Sequence, residues 1–255
     1  MINFNGYDLS SYFKVNSIKR PIMPPQQFAT INIANRPGVI VGNEKDAAFA
    51  IEVGVIVKEK SLDLLRKRIR MIASKLKGKG KLIFSDEPDI YYNVIVQDTD
   101  LEEILSIGQG TILFFAHDPY AYGQEIQEGV SVYPTTVFLT PFMISEYETS
   151  SSLILNGGTV EADQIFEVTF HQSVNEFRIT HQEQGKYIRL MHGFNVGDVL
   201  VIDCKNEVIR VNGTRINNKL TFDSDYFKLQ IGENTLTVSP SVSNDTVIRY
   251  EPRYL

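Results

Sequence analysis

The stretch Phe49 to Lys77, FAIEVGVIVKEKSLDLLRKRIRMIASKLK, decides the fold. In its first part Phe49, Ile51, Val53, Val55 and Val57 alternate with Ala50, Glu52, Gly54 and Ile56. Successive side chains of a strand point to opposite faces, so this period of two predicts a strand with one face in a core. Beyond Lys58 the period changes. Leu62, Leu65, Ile69, Ile72 and Leu76 recur at spacings of three and four, which draws one stripe along a helix. Ser61 stands where an N-cap belongs and Gly78 where a C′ residue belongs. The spacing predicts a helix over 61–77, with its stripe on a sheet and its Lys and Arg side chains in water.

Outward from this stretch the chain reads mostly as strand. Towards the middle, Tyr91–Asp98 and Thr111–Ala116 are expected strands, and Asp98–Ser106 could make a short helix. Short apolar runs broken by Gly129, Pro134 and Pro141 suggest a linker near 130–147. The rest predicts strand after strand: Ser152–Leu155, Ile165–Phe170, Phe177–Thr180, Tyr187–Leu190, Val199–Cys204, Val208–Val211, Phe227–Gln230, Asn234–Val238 and Val247–Tyr250. Turn signals at intervals of roughly ten residues point to a sandwich. Asn212-Gly213 is a type I′ hairpin signal, because both central positions of that turn need positive φ. The expected fold is mainly β with one main α-helix, divided into residues 1–135 and 136–255.

Composition sets the outer limits. The chain has 255 residues, of which 43% are hydrophobic, enough for one large or two ordinary cores. No run of 18 apolar residues suits a membrane span, and Met1 to Ser10 lacks the basic start and apolar region of a signal peptide. One cysteine, Cys204, makes no intramolecular disulfide and no Cys-based zinc site. The net charge of −6 hides an asymmetry. Lys58 to Lys81 holds ten basic residues against Glu59 and Asp63, a net +8. That leaves 15 basic and 29 acidic residues elsewhere, −14. No aromatic residue interrupts the basic segment, so it offers no stacking platform for single-stranded nucleic acid. A solvated helix face or a contact to an acidic neighbour fits it better.

Chemistry-bearing patterns are few. Gly78-Lys79-Gly80-Lys81 lacks the spacing of a P-loop, and Gly108-Gln109-Gly110 lacks the third glycine of a dinucleotide loop. Asp98, Asp100 and Glu102 open like a calcium loop, but Glu103 stands where glycine is needed. Asp86, Glu87 and Asp89 flank Pro88 in an expected turn. His117-Asp118 could orient an imidazole, yet no nucleophile motif accompanies it. His171, His181 and His192 are scattered, and Cys204 ends an apolar run like a buried strand thiol. No catalytic residue, metal ligand or cofactor is assigned.

Several motifs carry a resemblance. They begin with Phe4-Asn5-Gly6-Tyr7-Asp8-Leu9-Ser10 and the Arg36-Pro37-Gly38 turn. Leu82-Ile83-Phe84-Ser85-Asp86-Glu87-Pro88-Asp89-Ile90-Tyr91-Tyr92 follows the helix. Phe114-Phe115-Ala116-His117-Asp118-Pro119-Tyr120-Ala121-Tyr122-Gly123 comes next. The second half adds Asn156-Gly157-Gly158, Gly197-Asp198, Asn212-Gly213, Asp223-Ser224, Gly232-Glu233-Asn234 and Tyr250-Glu251-Pro252-Arg253-Tyr254. In their order and spacing the chain resembles the distal tail protein family of long-tailed, non-contractile bacteriophages and related prophages, mainly of Gram-positive hosts. Many relatives carry Trp in these motifs, where this chain has Tyr and Phe and no Trp at all.

The resemblance implies a structural virion protein at the tail tip, made and assembled in the host bacterial cytoplasm. It implies a homo-hexameric ring built from a β-sandwich-like N-terminal domain, with a galectin-like or carbohydrate-module-like β-sandwich projecting outward. Its implied partners are the major tail tube protein, a tail-associated lysin or tail fibre protein, and a receptor-binding protein. The genome passes through the ring without specific recognition. The competing function is a host-wall carbohydrate-binding module, for which Tyr187, Tyr226 and Phe194 are the aromatic candidates. Their alternating positions suit core residues better.

Overall fold

The computed structural model describes residues 2–104, 106–130, 150–240 and 244–255. Contacts divide the chain into two units, Met1–Gly123 with Tyr254–Leu255, and Gln124–Arg253. The expected boundary at 135/136 and most of the expected linker at 130–147 lie outside the described residues.

The first unit contains β1 (Ile2–Phe4), β2 (Tyr7–Asp8), β3 (Lys14–Lys19), β4 (Gln26–Ile31), β5 (Ile40–Asp46), β6 (Phe49–Lys58), α1 (Leu62–Leu76), β7 (Lys79–Phe84), β8 (Glu87–Ile104) and β9 (Ile107–Tyr122). Its main sheet runs β2-β1-β7-β8-β9-β6-β3, and every neighbouring pair is antiparallel. β6 buries Ile51, Val53, Val55 and Val57, the alternate residues the sequence marks. The Ser61 hydroxyl accepts from the Leu64 amide at 3.4 Å and caps α1. Leu65, Ile72 and Leu76 of α1 are buried in one core with the β6 row, Phe4, Phe84 and Phe114, and half-buried Ile69 packs against it. Leu62 belongs to the expected stripe but is 42% exposed, because it opens the first turn beyond the edge of the packed face.

Two sequence expectations are corrected. Asp98–Ser106 is not a helix. Asp98–Ile104 continues β8 and pairs with Ile107–Leu113 of β9. A ladder partner on the adjacent strand outweighs the helix preference of Leu and Glu. Gly110 allows that closeness, since a Cβ there would meet the Asp100 carbonyl oxygen at 1.8 Å. Phe227–Gln230 is not a strand either. Phe227 and Leu229 sink into the core, and only Leu229 makes a bridge, to Ala162.

The second unit contains β10 (Ile126–Val130), β11 (Ser150–Asn156), β12 (Gln164–Phe170), β13 (Val174–His181), β14 (Lys186–Phe194), β15 (Val199–Asp203), β16 (Val208–Val211), β17 (Thr214–Arg215), β18 (Gly232–Ser239) and β19 (Asn244–Tyr250). One sheet runs β10-β19-β12-β15-β16-β17 and the other β11-β18-β13-β14. Phe166, Val168, Leu200, Ile202 and Ile248 from the first close against Ile154, Phe177, Ile179, Ile188, Leu190 and Leu236 from the second. This is a β-sandwich with a phenylalanine-rich core. Asn212 and Gly213 both have positive φ, 49° and 81°, in the tight turn between β16 and β17.

The helix face yields a direct stability comparison. Leu65→Ala should cost ~2–5 kcal/mol through lost burial and a cavity. Leu62→Ala, at an exposed site, should stay within ~0.5 kcal/mol of wild type. Thermal unfolding of the two variants checks this, and equal losses would place the helix on a different face.

Candidate functional site

β4 and β5 pair only with each other and form a two-stranded hairpin arm. Every residue from 25 to 45 is exposed. Phe28 (55%) and Ile31 (58%) are joined by Ile33, Val39, Ile40 and Val41 as large apolar side chains left in water. An isolated two-stranded ribbon is marginal by itself. A cluster of exposed apolar residues is the usual mark of an interaction surface.

The root of this arm is fastened by several bonds. The Ala47 amide donates to the Pro25 carbonyl at 2.9 Å. The Gln26 amide group and the Tyr120 hydroxyl both donate to the Asp46 carboxylate. Just before the arm, Arg20 donates from one guanidinium nitrogen to Asp86 and from the other to Glu87, at 2.8 Å for Glu87. Its guanidinium carbon lies 4.5 Å from the centre of the Phe84 ring. Asp118 in turn accepts from the Tyr120 amide at 3.3 Å and from the Tyr122 hydroxyl. Three sequence motifs therefore meet here: Arg36-Pro37-Gly38 forms the tip, and the Asp86-Glu87 and Asp118-Pro119-Tyr120 segments hold the root.

The basic helix face is largely in water. Arg68 is the exception: it donates to the Ser11 carbonyl at 2.7 Å and pairs with Glu59. Arg66 reaches Glu103 at 3.6 Å. Lys75 and Lys81 lie over the rings of Tyr7 and Tyr91, at 3.9 and 3.7 Å. Lys60, Lys67, Arg70 and Lys77 are exposed. Between α1 and the sheet lies a partly open cavity of about 80 Å³. Its walls include Phe13, Val55, Val57, Ile69, Leu101 and Ile112, and the exposed Asp100 also lines it.

The residues singled out for chemistry are dispersed. His117 is exposed on β9 and Asp118 is engaged at the arm root. Asp98, Asp100 and Glu102 lie at alternate positions of β8, an extended strand and not a metal-binding loop. Cys204 is buried, and burial pushes its thiol pKa far above the ordinary range. Among the described residues no group of three or more His, Cys, Asp or Glu could hold a metal ion.

In the sandwich, the three aromatic candidates diverge. Phe194 is buried and stacked on Phe170, with ring centres 4.3 Å apart. Tyr226 packs against the core, and burial raises its pKa to about 12. Tyr187 is half-buried, but Arg178 covers its ring at 3.9 Å and its hydroxyl donates to Asp223 at 2.6 Å. Among the described residues of the sandwich, the fully exposed aromatic is Phe222, which no sequence period singles out because it lies in a loop. His181 is wholly buried. Its Nε2 lies 2.8 Å from Asn234 Oδ1, and its Nδ1 lies 3.3 Å from the Gln184 amide and 3.2 Å from the Glu183 carboxylate.

Comparison with known proteins adds two kinds of finding. Residues 7–116 match the family model described as a phage tail protein RIFT-related domain. Residues 157–254 match that of a siphovirus-type tail component, C-terminal domain. The distal tail protein of Bacillus phage SPP1 is 27% identical over 239 residues, covering 91% of this chain and 88% of the relative. Among solved structures, the SPP1 Dit protein superposes with a TM-score of 0.81 at 21% identity, covering 100% of this chain and 98% of that one. That protein is described as a paradigm of the hub adsorption apparatus in phages infecting Gram-positive bacteria.

The arm root generates a pH-dependent prediction. Partial burial alone would raise the Asp86 pKa, but the hydrogen bond and charge of Arg20 outweigh it and hold the carboxyl below its ordinary value. A lowered folded-state pKa gives stability that is present above the unfolded pKa and fades as pH falls through the folded one. Arg20→Ala should therefore lower stability by ~1 kcal/mol at neutral pH, a figure already reduced for solvent screening. In parallel denaturation titrations, that gap should narrow as pH falls below the carboxylate range.

Proposed function

The chain belongs to the distal tail protein family of siphophages, and on that premise we propose that it is the hexameric hub of a phage tail tip. The likeness to SPP1 Dit over the whole chain supports a structural hub protein of the virion tail. The observation that carries the finer reading is the exposed apolar arm on a fastened root. A ring subunit needs two different, complementary faces, since head-to-tail contacts close into rings only when each copy gives one face and takes the other. The arm supplies a giving face, and the +8 segment on a −14 body supplies charges of opposite sign to steer the encounter.

In this reading the first unit builds the ring between the major tail tube protein on one side and the tail-associated lysin or fibre protein on the other. The sandwich serves as a platform to which a receptor-binding protein can attach. The negative body leaves the passing genome unbound. The protein carries no reaction; its work is to join and position.

Reconstruction of the phage tail tests this. One six-fold ring of this chain at the tail tip is expected, and another symmetry, or absence of the chain from the tip, would contradict it. The sandwich is expected to act without a lectin site, since Arg178 covers the ring of half-buried Tyr187 and half-buried Tyr226 packs against the core. Calorimetric titration with host wall polysaccharide should show no saturable binding below about 1 mM, which corresponds to about −4 kcal/mol. Saturable binding lost in Tyr187→Ala would restore the carbohydrate-binding reading.

A further inference from the structure

The arm and the α1 cavity lie towards opposite ends of the same sheet. The arm root is bonded to Tyr120 on β9 and enters β6 at Phe49. The cavity wall uses Ile112 on β9 and Val57 near the far end of β6. Eight residues of strand separate Tyr120 from Ile112, about 26 Å at the usual rise. Because residues 25–45 are exposed throughout, a chain's own arm does not fill its own cavity.

The chemistry of the two features matches. At the arm tip the Arg36 amide donates to the Ile33 carbonyl at 3.2 Å, closing a turn that carries Ile33, Arg36 and Val39, all exposed. Arg36 is the one cation between Pro21 and Glu44. The cavity offers apolar walls and one exposed carboxylate, Asp100. Its volume of about 80 Å³ exceeds the ~30 Å³ share of one water and suits the end of an aliphatic side chain. Asp98 and Glu102 on the same strand are exposed alongside, while the facing wall is α1, whose Arg66 is drawn to Glu103 at 3.6 Å.

We propose that the arm tip of one copy seats Ile33 or Val39 in the α1 cavity of the next copy and pairs Arg36 with Asp100. This deepens the hub reading and rests on it for the closed ring, but the contact itself is defined by these residues. It is heterologous: one copy gives its arm and receives another at a different place.

Cross-linking of full-length chains tests it, and buried Cys204 leaves the background clean. Ala34→Cys sits at the tip and Thr99→Cys beside the cavity, both exposed positions. Mixing the two single variants under oxidising conditions should give mixed disulfide dimers several-fold above either variant alone. Adding Arg36→Glu to the first chain should cut that yield several-fold, and adding Asp100→Arg to the second should recover it. No mixed dimer above the like-with-like level, or indifference to Arg36→Glu, overturns the proposal. A chain carrying both cysteines separates the two readings. Covalent hexamers support both. Covalent closed dimers keep the arm–cavity contact and contradict the ring. Hexamers of wild-type chain without any mixed disulfide keep the ring and contradict the contact.

Discussion

Burial of the β6 row is the interaction on which the first unit depends. Ile51, Val53, Val55 and Val57 are removed from water beneath Leu65, Ile72 and Leu76 of α1. Each such side chain contributes roughly 1.5–3 kcal/mol relative to exposure. The strand is committed by its period of two, and a one-residue slip would turn the whole row outward. With β6 fixed, β9 is held from Ile107 to Ala116, and β8 lies alongside β9. The sequence entering β6 at Phe49 is then delivered from a fixed edge, and this is where the arm begins.

The arm is the opposite case. Nothing in its own unit covers Phe28, Ile31, Ile40 or Val41, yet its root is fastened by Asp46, Tyr120 and Arg20. A ribbon that existed only as a loop would not need so many anchors. The combination makes sense for a limb that must leave the body at a set angle and bury its apolar surface elsewhere. In the proposed ring, assembly supplies the burial that the isolated fold lacks. The sandwich is built around a core of its own, although Phe222, Leu153, Leu155 and Val196 stay exposed on its surface. Its two sheets cover each other, and its motif residues mainly fasten turns. Asn156 donates to the Val160 carbonyl at 3.1 Å, Asp198 accepts from the Asn195 amide at 2.7 Å, and Asn234 binds both the Gln230 amide and His181.

Much of this was legible in the residues. The switch of period at Lys58 placed strand and helix, and the nine C-terminal apolar runs located eight strands of the sandwich. The opening motif also has a physical reason. Asn5 and Gly6 take positive φ in the β1–β2 turn, and the Asn5 side chain bonds the β7 backbone at Lys79 and Lys81. What stayed hidden depended on partners distant in sequence. The acidic run Asp98–Glu103 reads as helical until β9 is known to lie beside it. The exposed state of Phe28 and Ile31 cannot be seen in the sequence, because a strand with apolar residues reads as buried whichever surface it meets. The motifs at Asp86-Glu87 and Asp118-Pro119-Tyr120 look independent in sequence, and only the fold shows that both hold one arm.

The central claim is that the arm's apolar surface is buried by a neighbouring subunit and not within the chain. Hydrogen–deuterium exchange over residues 26–46 measures it most directly, in dilute isolated protein and in assembled tails. Rapid exchange in the dilute chain and strong protection in the tail is the expected result, with the β6 amides protected in both. Equal, rapid exchange of the arm in both states would contradict it.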